Sequence, residues 1–207
     1  MAEPEGGLRA RKRLAAMVRI QDVALDLFEE RGFDGVTVEE VALAADVSPS
    51  SVYRYFGTKE EIVLWDELDP SMGRLLGPAL ADHVPLEGLR RVVLDAIDAL
   101  STDAEHQLRR RASLMMSTPE LEQAASTRTY AFAEYIGAAL AERLDRPAVD
   151  LEVQVFAHAF TGGFLGLLHH WHGTGFASPL REVAVRVFDI FDEGLDVVSD
   201  AGPSATG

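Results

Sequence analysis

The sequence contains no cysteine among its 207 residues, which excludes disulfide bonds and thiolate metal sites. Positive charge is also scarce, since 19 Lys and Arg face 34 Asp and Glu and give a formal net charge of −15. Behind the charged N-terminus no long apolar run follows, so a secretory signal is not expected. The longest apolar stretch, residues 156–168, is interrupted by His158, Thr161 and three glycines, and we expect it to fall short of a membrane span. A cytoplasmic protein is the expectation.

Common enzyme motifs are absent as well. The sequence has no glycine-rich phosphate loop, no G-x-S-x-G and no H-E-x-x-H, which predicts that the protein is not an enzyme and needs no cofactor. His169 and His172 are three residues apart and could share a helix face as metal ligands. No acidic residue stands at ligand spacing beside them, so ordinary hydrogen bonds at a helix end are favoured and no metal site is predicted.

The negative charge is unevenly distributed. Residues 1–60 carry 8 basic and 11 acidic residues, whereas residues 61–207 carry 11 and 23. Only two acidic residues precede residue 22, where a basic cluster comprises Arg9, Arg11, Lys12, Arg13 and Arg19. Such a cluster can approach DNA phosphates, and it can equally be a solubilising tail. Composition does not decide between the two.

Hydrophobic periodicity predicts helices throughout and no strand. About nine helices are expected, over residues 9–31, from 38, 49–56, 58–68 with a continuation toward 76, 86–100, 104–116, 119–144, 147–171 and 179–198. Capping signals support the early boundaries, because Thr37 with Glu40 forms an S/T-x-x-E box and Pro49 follows Ser48. We predict an all-α fold with an N-terminal three-helix domain over 1–60, a helical domain over 61–198 and a disordered tail over 199–207.

Two short capped helices joined by residues 45–47 predict a helix-turn-helix, in which the second helix inserts its N-terminal side chains into the major groove. That helix opens with the polar run 48–51. Beyond it, Tyr53, Tyr55 and Lys59 could donate hydrogen bonds to phosphate. Core packing is the alternative for the two tyrosines.

Landmarks through residues 19–60 resemble the TetR family of bacterial regulators. The matching residues are Arg19, Ile20, Ala24, Leu25, Phe28, Gly32, Phe33, Val36, Thr37, Val38, Val41, Ala42, Ala45, Asp46, Val47, Ser48, Tyr53, Arg54, Tyr55, Phe56, Lys59 and Glu60. The resemblance implies a DNA-binding domain followed by a helical domain that dimerises and binds a small ligand. A repressor that binds a palindromic operator as a homodimer, and that an apolar effector releases, is therefore expected.

The resemblance also assigns DNA-contacting positions. Phosphate contacts fall on Thr37, Tyr53, Tyr55 and Lys59. Base contacts fall on Ser48, Ser50, Ser51 and Arg54. The family often has Gly-Thr or a similar pair after the turn, where this sequence has Pro49-Ser50-Ser51. This departure leaves the recognised bases open.

The predicted helix over 147–171 is apolar nearly all round, which indicates burial on more than one side. It and the last helix could form a four-helix bundle with a second copy, as the last two helices do in the family. A single intramolecular core is the alternative. The predicted interface residues are Gly162, Gly166, Phe188, Phe191 and Leu195.

The remaining apolar faces could enclose a ligand pocket, with plain core packing as the alternative. The candidate pocket residues are Trp65, Val93, Ile97, Arg111, Met115, Phe132, Phe156, Phe160 and Phe164. The run 109–111 is either a solvated basic face or an anion site. Arg111 and the run 118–121 resemble an actinobacterial TetR subgroup that includes mycofactocin-system regulators, which implies an acyl-coenzyme A effector. A helical dimerisation adaptor without DNA binding is the alternative function.

Overall fold

The computed structural model describes residues 5–66 and 84–195, and the fold is all-α within them. Nine helices lie in these two ranges: α1 (Glu5–Arg31), α2 (Val38–Ala44), α3 (Pro49–Phe56), α4 (Lys59–Leu64), α5 (Pro85–Asp98), α6 (Thr102–Ser117), α7 (Pro119–Leu144), α8 (Leu151–Gly173) and α9 (Leu180–Asp192). The predicted fold class is confirmed. The predicted continuation of the fourth helix to residue 76 and the predicted C-terminal tail fall outside the described residues.

The helices form two compact units. The first contains α1 to α4, α6 and the residues of α7 up to 131, and the second contains α5, the residues of α7 from 132, α8 and α9. In the first unit, α6 packs against α1 and α4. The boundary at residue 60 stays a prediction.

A continuous apolar stripe on α1 organises the first unit. Ile20, Ala24 and Phe28 recur at helical spacing, and each is at most 1% exposed, so the stripe forms the inner face of the helix. The helix ends at Arg31 and is followed by Gly32, whose φ of +78° is the left-handed conformation that glycine adopts without steric cost.

The second unit is built around α8. Trp171 is fully buried, and its indole Nε1 donates a hydrogen bond to the Ser178 carbonyl at 2.9 Å. This bond fixes the turn between α8 and α9. The apolar stripe of α9, which includes Val183 and Phe188, is buried, and the helix packs against both α5 and α8.

Several helix ends differ from the predictions. Helix α1 begins at Glu5 rather than Arg9, and α4 ends at Leu64 because the backbone of Trp65 is extended. Helix α8 begins at Leu151 rather than 147, where the Asp150 carboxylate accepts hydrogen bonds from the N–H groups of residues 152 and 153. The start of α8 is therefore determined by side-chain capping, which cannot be predicted from hydrophobic periodicity.

The end of α9 also differs. The helix stops at Asp192 rather than 198, because Gly194 and Leu195 both adopt positive φ angles, +73° and +61°. A left-handed backbone cannot continue a right-handed helix. Leu195, a predicted interface residue, therefore lies in a turn after the helix.

By length and mean hydropathy, α8 qualifies as a candidate membrane span, and it is the only such helix found in the described ranges. The expectation that this stretch is too short and too interrupted for a membrane span was therefore wrong by the criteria of length and composition alone. Only 28% of its most apolar 18-residue window is buried within the protomer. Much of the apolar surface of α8 is thus left uncovered.

Candidate DNA-binding surface

The start of α2 is held by the predicted capping box. Thr37 Oγ1 accepts a hydrogen bond from the Glu40 N–H at 3.2 Å, and Glu40 Oε2 accepts one from the Thr37 N–H at 2.8 Å. Arg31 adds an ion pair to Glu40 at 2.9 Å. The Thr37 N–H and the Arg31 guanidinium both favour the ionised carboxylate and lower the pKa of Glu40. Thr37 thus lies at a fixed helix N-terminus, the kind of position that binds phosphate.

The turn between α2 and α3 is pinned from α1. Asp46 has a positive φ of +54°, which aspartate tolerates better than most residues. The Arg19 guanidinium donates a hydrogen bond to the Ala45 carbonyl oxygen, an acceptor at the C-terminal end of α2. A side chain outside the helix-turn-helix therefore helps to hold the turn between its two helices.

Ser48 caps α3. Its Oγ accepts a hydrogen bond from the Ser51 N–H at 3.2 Å and lies 2.9 Å from the Oγ atoms of both Ser50 and Ser51. The Ser48 side chain thereby serves as the N-cap of α3. Ser50 and Ser51 are tied to it through hydroxyl groups, which can rotate and exchange partners when a base edge is offered.

The outer face of α3 is polar. Val52 and Phe56 are buried against the rest of the unit, so Ser50, Tyr53 and Arg54 share the opposite, exposed face at helical spacing. Tyr53 is 47% exposed. This face carries the hydroxyl and guanidinium donors that major-groove recognition uses.

Arg54 is folded back along the helix. Its guanidinium lies 5.0 Å from the centroid of the Tyr55 ring and donates to Ser51 Oγ at 3.3 Å. Both contacts are weak at an exposed site. They keep Arg54 beside the predicted base-contacting serines, and Tyr55 is only partly exposed.

Lys59, the predicted phosphate contact at the start of α4, is held by the loop before α2. Its Nζ donates hydrogen bonds to the carbonyls of Phe33 at 2.9 Å and Val36 at 3.2 Å, and it lies 4.0 Å from the Phe33 ring centroid. An ammonium group has three protons. Two are used within the protein, which leaves one for phosphate.

A polar junction at the C-terminal end of α4 escaped the sequence analysis. The buried Gln21 side chain donates to the carbonyls of Ile62 at 2.7 Å and Trp65 at 2.9 Å, and Arg111 also donates to the Trp65 carbonyl. A signal was present, because Gln21 interrupts the apolar spacing of Leu25 and Phe28 on α1. A polar residue in such a stripe indicates a buried acceptor.

The last two arginines of the run 109–111, Arg110 and Arg111, both form ion pairs within the first unit. Arg110 pairs with Asp26 at 2.6 Å and Glu29 at 2.7 Å, and these carboxylates raise its pKa. Arg111 pairs with Asp66 at 2.6 Å. Any anionic ligand of these two arginines would have to displace carboxylates already in place.

The predicted pocket residues are divided between the units. Trp65, Arg111 and Met115 lie in the first unit, where the Trp65 ring meets Phe56 edge-on at 6.0 Å. The other six predicted pocket residues lie in the second unit: Val93, Ile97, Phe132, Phe156, Phe160 and Phe164. Among these, Phe160 is buried, and Phe156 stacks on it at 6.5 Å.

Phe164 differs from the other aromatic residues of α8. It follows Phe160 by four residues and precedes Trp171 by seven, which places it on their inward face. Both of those are buried, yet Phe164 is 43% exposed. The inward face of α8 therefore leaves the side chain of Phe164 only partly covered within the second unit.

The predicted interface residues also separate into two groups. Gly162 and Gly166 are exposed, and a Cβ atom at either would meet no atom within 4 Å. They share an outward stripe with Leu151 and Val155, which are 76% and 58% exposed. By contrast Phe188 is buried in its own protomer beside Phe160, with ring centroids 6.0 Å apart.

Phe191, the remaining predicted interface residue on α9, contacts α8 within the protomer. A Cβ atom at Gly163 would lie 2.7 Å from the Phe191 ring. Glycine at 163 therefore allows α9 to approach α8 closely. The roles of Phe188 and Phe191 at a dimer interface stay predictions.

The histidines near the end of α8 are not grouped for metal binding. His169 and His170 are exposed, whereas His172 packs edge-on against Phe176 at 5.8 Å. No group of three or more His, Asp or Glu side chains in the described ranges is placed to hold a metal ion.

Comparison with known families supports this geometry. Residues 20–64 match the family model for bacterial regulatory proteins of the TetR family, and residues 83–196 match the model for the MftR C-terminal domain. The chain belongs to the TetR family of transcriptional regulators. Both the resemblance found in residues 19–60 and the weaker resemblance to mycofactocin-system regulators are thereby confirmed.

Individual relatives agree with the family. The mycofactocin biosynthesis transcriptional regulator MftR of Mycobacterium tuberculosis is 28% identical over 90% of this chain and 94% of its own length. Among solved structures, a SmeT–triclosan complex has a TM-score of 0.61 at 21% identity, covering 87% of this chain and 91% of that one. FadR of Bacillus subtilis with stearoyl-CoA has a TM-score of 0.58 at 20% identity, covering 86% and 98%. These two structures share the fold of this TetR-family chain.

The position of Lys59 yields a test of its phosphate contact. We expect Lys59→Ala to reduce the magnitude of the salt slope of DNA binding by about 0.9 per protomer, since one ammonium proton remains for phosphate. Its thermal midpoint should also fall, because the loop before α2 loses two hydrogen bonds. The neutral change Tyr53→Phe is the control and should weaken binding to all sequences without altering the slope. A slope unaffected by Lys59→Ala would assign the residue to the loop alone.

Proposed function

We propose that this TetR-family chain is a cytoplasmic, ligand-responsive repressor that binds a palindromic operator as a homodimer and is released by an acyl-coenzyme A effector. The exposed face of α3, with Ser50, Tyr53 and Arg54 outward, carries the DNA-binding part of this proposal. Two copies of such a helix related by a two-fold axis require two half-sites.

The outward stripe of α8 supports the homodimer. Leu151, Val155, Gly162 and Gly166 form an apolar surface with small residues at its centre, which lets a partner helix approach closely. Contiguous exposed apolar surface on a protein indicates an interaction site. A second copy of α8 covers this surface in the proposal, and no membrane is needed to account for it.

The exposed ring of Phe164 supports the apolar effector. Binding sites for small ligands are lined mostly by apolar and aromatic side chains, and Phe164 lies on the inward face of α8 with 43% of its surface exposed. FadR of Bacillus subtilis was solved with stearoyl-CoA, and FadR of Thermus thermophilus with lauroyl-CoA. An acyl chain is the effector class that fits both observations. Arg110 and Arg111 do not hold the head group in this proposal, since both are ion-paired.

The proposal predicts operator release by long-chain acyl-coenzyme A. Selection of DNA from a random pool should return a palindrome with half-sites about 34–36 Å apart. Stearoyl-CoA should then release the selected DNA, and operator should weaken stearoyl-CoA binding by the same factor, because coupling between two sites is reciprocal. Fluorescence anisotropy of labelled operator measures the release.

Three controls separate the parts of the proposal. Stearate tests whether the acyl chain suffices, and free coenzyme A tests the head group. Phe164→Ala should raise the stearoyl-CoA concentration needed for release at least tenfold while leaving operator affinity unchanged. Failure of all acyl compounds would discard this effector class, and the absence of any selected DNA would favour a dimerisation adaptor.

A further inference from the structure

The N-terminal end of α1 carries a concentration of positive charge that the family model does not cover, since the match begins at residue 20. Residues 6–21 contain five basic and no acidic residues, in a chain whose net charge is −15. Arg9, Lys12 and Arg13 are all exposed. They lie at i, i+3 and i+4, so they share one face of the helix.

That basic face continues the buried stripe of α1. Arg9, Arg13, Met17 and Ile20 follow one another at spacings of four, four and three residues, and both Met17 and Ile20 are buried. One side of α1 is therefore apolar where it packs inside the first unit and basic where it extends past it. Eight residues separate Arg9 from Met17, which is about 12 Å of helix.

The structure places this basic face next to α3. The Arg13 guanidinium lies 5.7 Å from the centroid of the Tyr55 ring, and Arg54 approaches the same ring at 5.0 Å. The contact with Tyr55 brings Arg13 to the helix that carries the proposed base-contacting residues. A solubilising tail would require no such contact.

Three other basic residues of the first four helices also bond within the protein. Arg19 donates to the turn carbonyl of Ala45, Arg31 pairs with Glu40, and Lys59 donates to loop carbonyls. The five basic residues at the start of α1 therefore add positive charge beside α3, next to that of Arg54 and Lys59. Without it, the acidic chain would meet DNA with little to offset phosphate repulsion.

We propose that Arg9, Lys12 and Arg13 form a second DNA contact, which binds backbone phosphates adjacent to those bound by the helix-turn-helix. The proposal rests on the proposed function, since it requires that α3 binds DNA. The ligand is the phosphodiester backbone of duplex DNA. These residues should increase the affinity for DNA without selecting a base sequence, because phosphates are the same at every base pair.

The test is the salt dependence of binding to the DNA selected by the wild-type protein. The triple variant R9Q/K12Q/R13Q removes up to six phosphate contacts per dimer. At about 0.9 per contact, the slope of log K against log salt should fall in magnitude by up to about 5. The matched control R91Q/R143Q/R186Q removes the same charge from exposed positions of the second unit and should leave the slope within 1 of wild type.

The outcomes are distinguishable. A decrease of 2 or more in the triple variant, with the same preferred sequence, supports the contact; a smaller decrease, or one matched by the control, overturns it. Circular dichroism checks that the triple variant is folded. If it is unfolded, the single variant Arg13→Gln should lower the magnitude of the salt slope by about 2 per dimer. An unchanged slope in that variant would count against the contact. Wild-type protein that binds no DNA would instead refute the proposed function.

Discussion

Gly166→Trp should convert the proposed homodimer into a folded monomer and reduce operator affinity at least a hundredfold. A Cβ atom at 166 has open space within 4 Å, and Gly166 is exposed, so the new side chain starts outward from its own protomer. It would, however, occupy the space through which the α8 of a second copy approaches in the proposed homodimer. A monomer holds only one half-site and loses the gain from simultaneous binding of two.

Sedimentation velocity measures the dimer, and circular dichroism measures the fold. Gly163→Ala is the matched control on the same helix, since its new methyl would lie 2.7 Å from the Phe191 ring. It should lower the thermal midpoint of the protomer by overpacking. A Gly166→Trp protein that remains a tight dimer would move the interface away from the outward stripe of α8.

Arg111→Met should lower the free energy of unfolding by about 2–3 kcal/mol. Its side chain is only 10% exposed and is bound to Asp66 and the Trp65 carbonyl, and removing one partner of a buried pair costs about 3–5 kcal/mol. The partial exposure of Asp66 reduces that figure. For a chain of this size the thermal midpoint should fall by roughly 5–10 °C.

The adjacent Arg109→Met is the control. Arg109 pairs with Glu105 one helical turn away, and both side chains are more than a third exposed, so the loss should be below about 0.5 kcal/mol. Differential scanning calorimetry compares the two variants directly. Equal effects would show that burial of Arg111 contributes nothing beyond an ordinary surface pair.

The sequence was informative where local chemistry determines structure. Capping by Thr37 and Ser48 and the left-handed Gly32 are local features, and the first helices were predicted from them. The end of α9 was missed although Gly194 is itself a stop signal. The apolar residues Leu195, Val197 and Val198 continue the helical spacing beyond it and outweighed that signal. The start of α8 was missed because Asp150, and not Pro147, caps it.

Long-range contacts could not be predicted in the same way. The ion-pair partners of Arg110, Asp26 and Glu29, are more than 80 residues distant in the chain. Nothing in the run 109–111 itself indicates which of its arginines is buried. Phe188 and Gly166 were assigned together to the interface, yet one is buried in its protomer and the other is open. Deciding which face of an apolar helix packs internally requires its neighbours in three dimensions.

The two tryptophans of this chain occupy different units, and each can report on one of them. Trp65 lies at the end of α4 and contributes its carbonyl, not its ring, to the junction with Gln21 and Arg111. Replacing it with phenylalanine would therefore preserve those backbone hydrogen bonds and leave Trp171, fully buried in the second unit, as the single emitter. Tryptophan fluorescence of this variant would then follow the unfolding of the second unit alone, without a label and without any cysteine to be introduced.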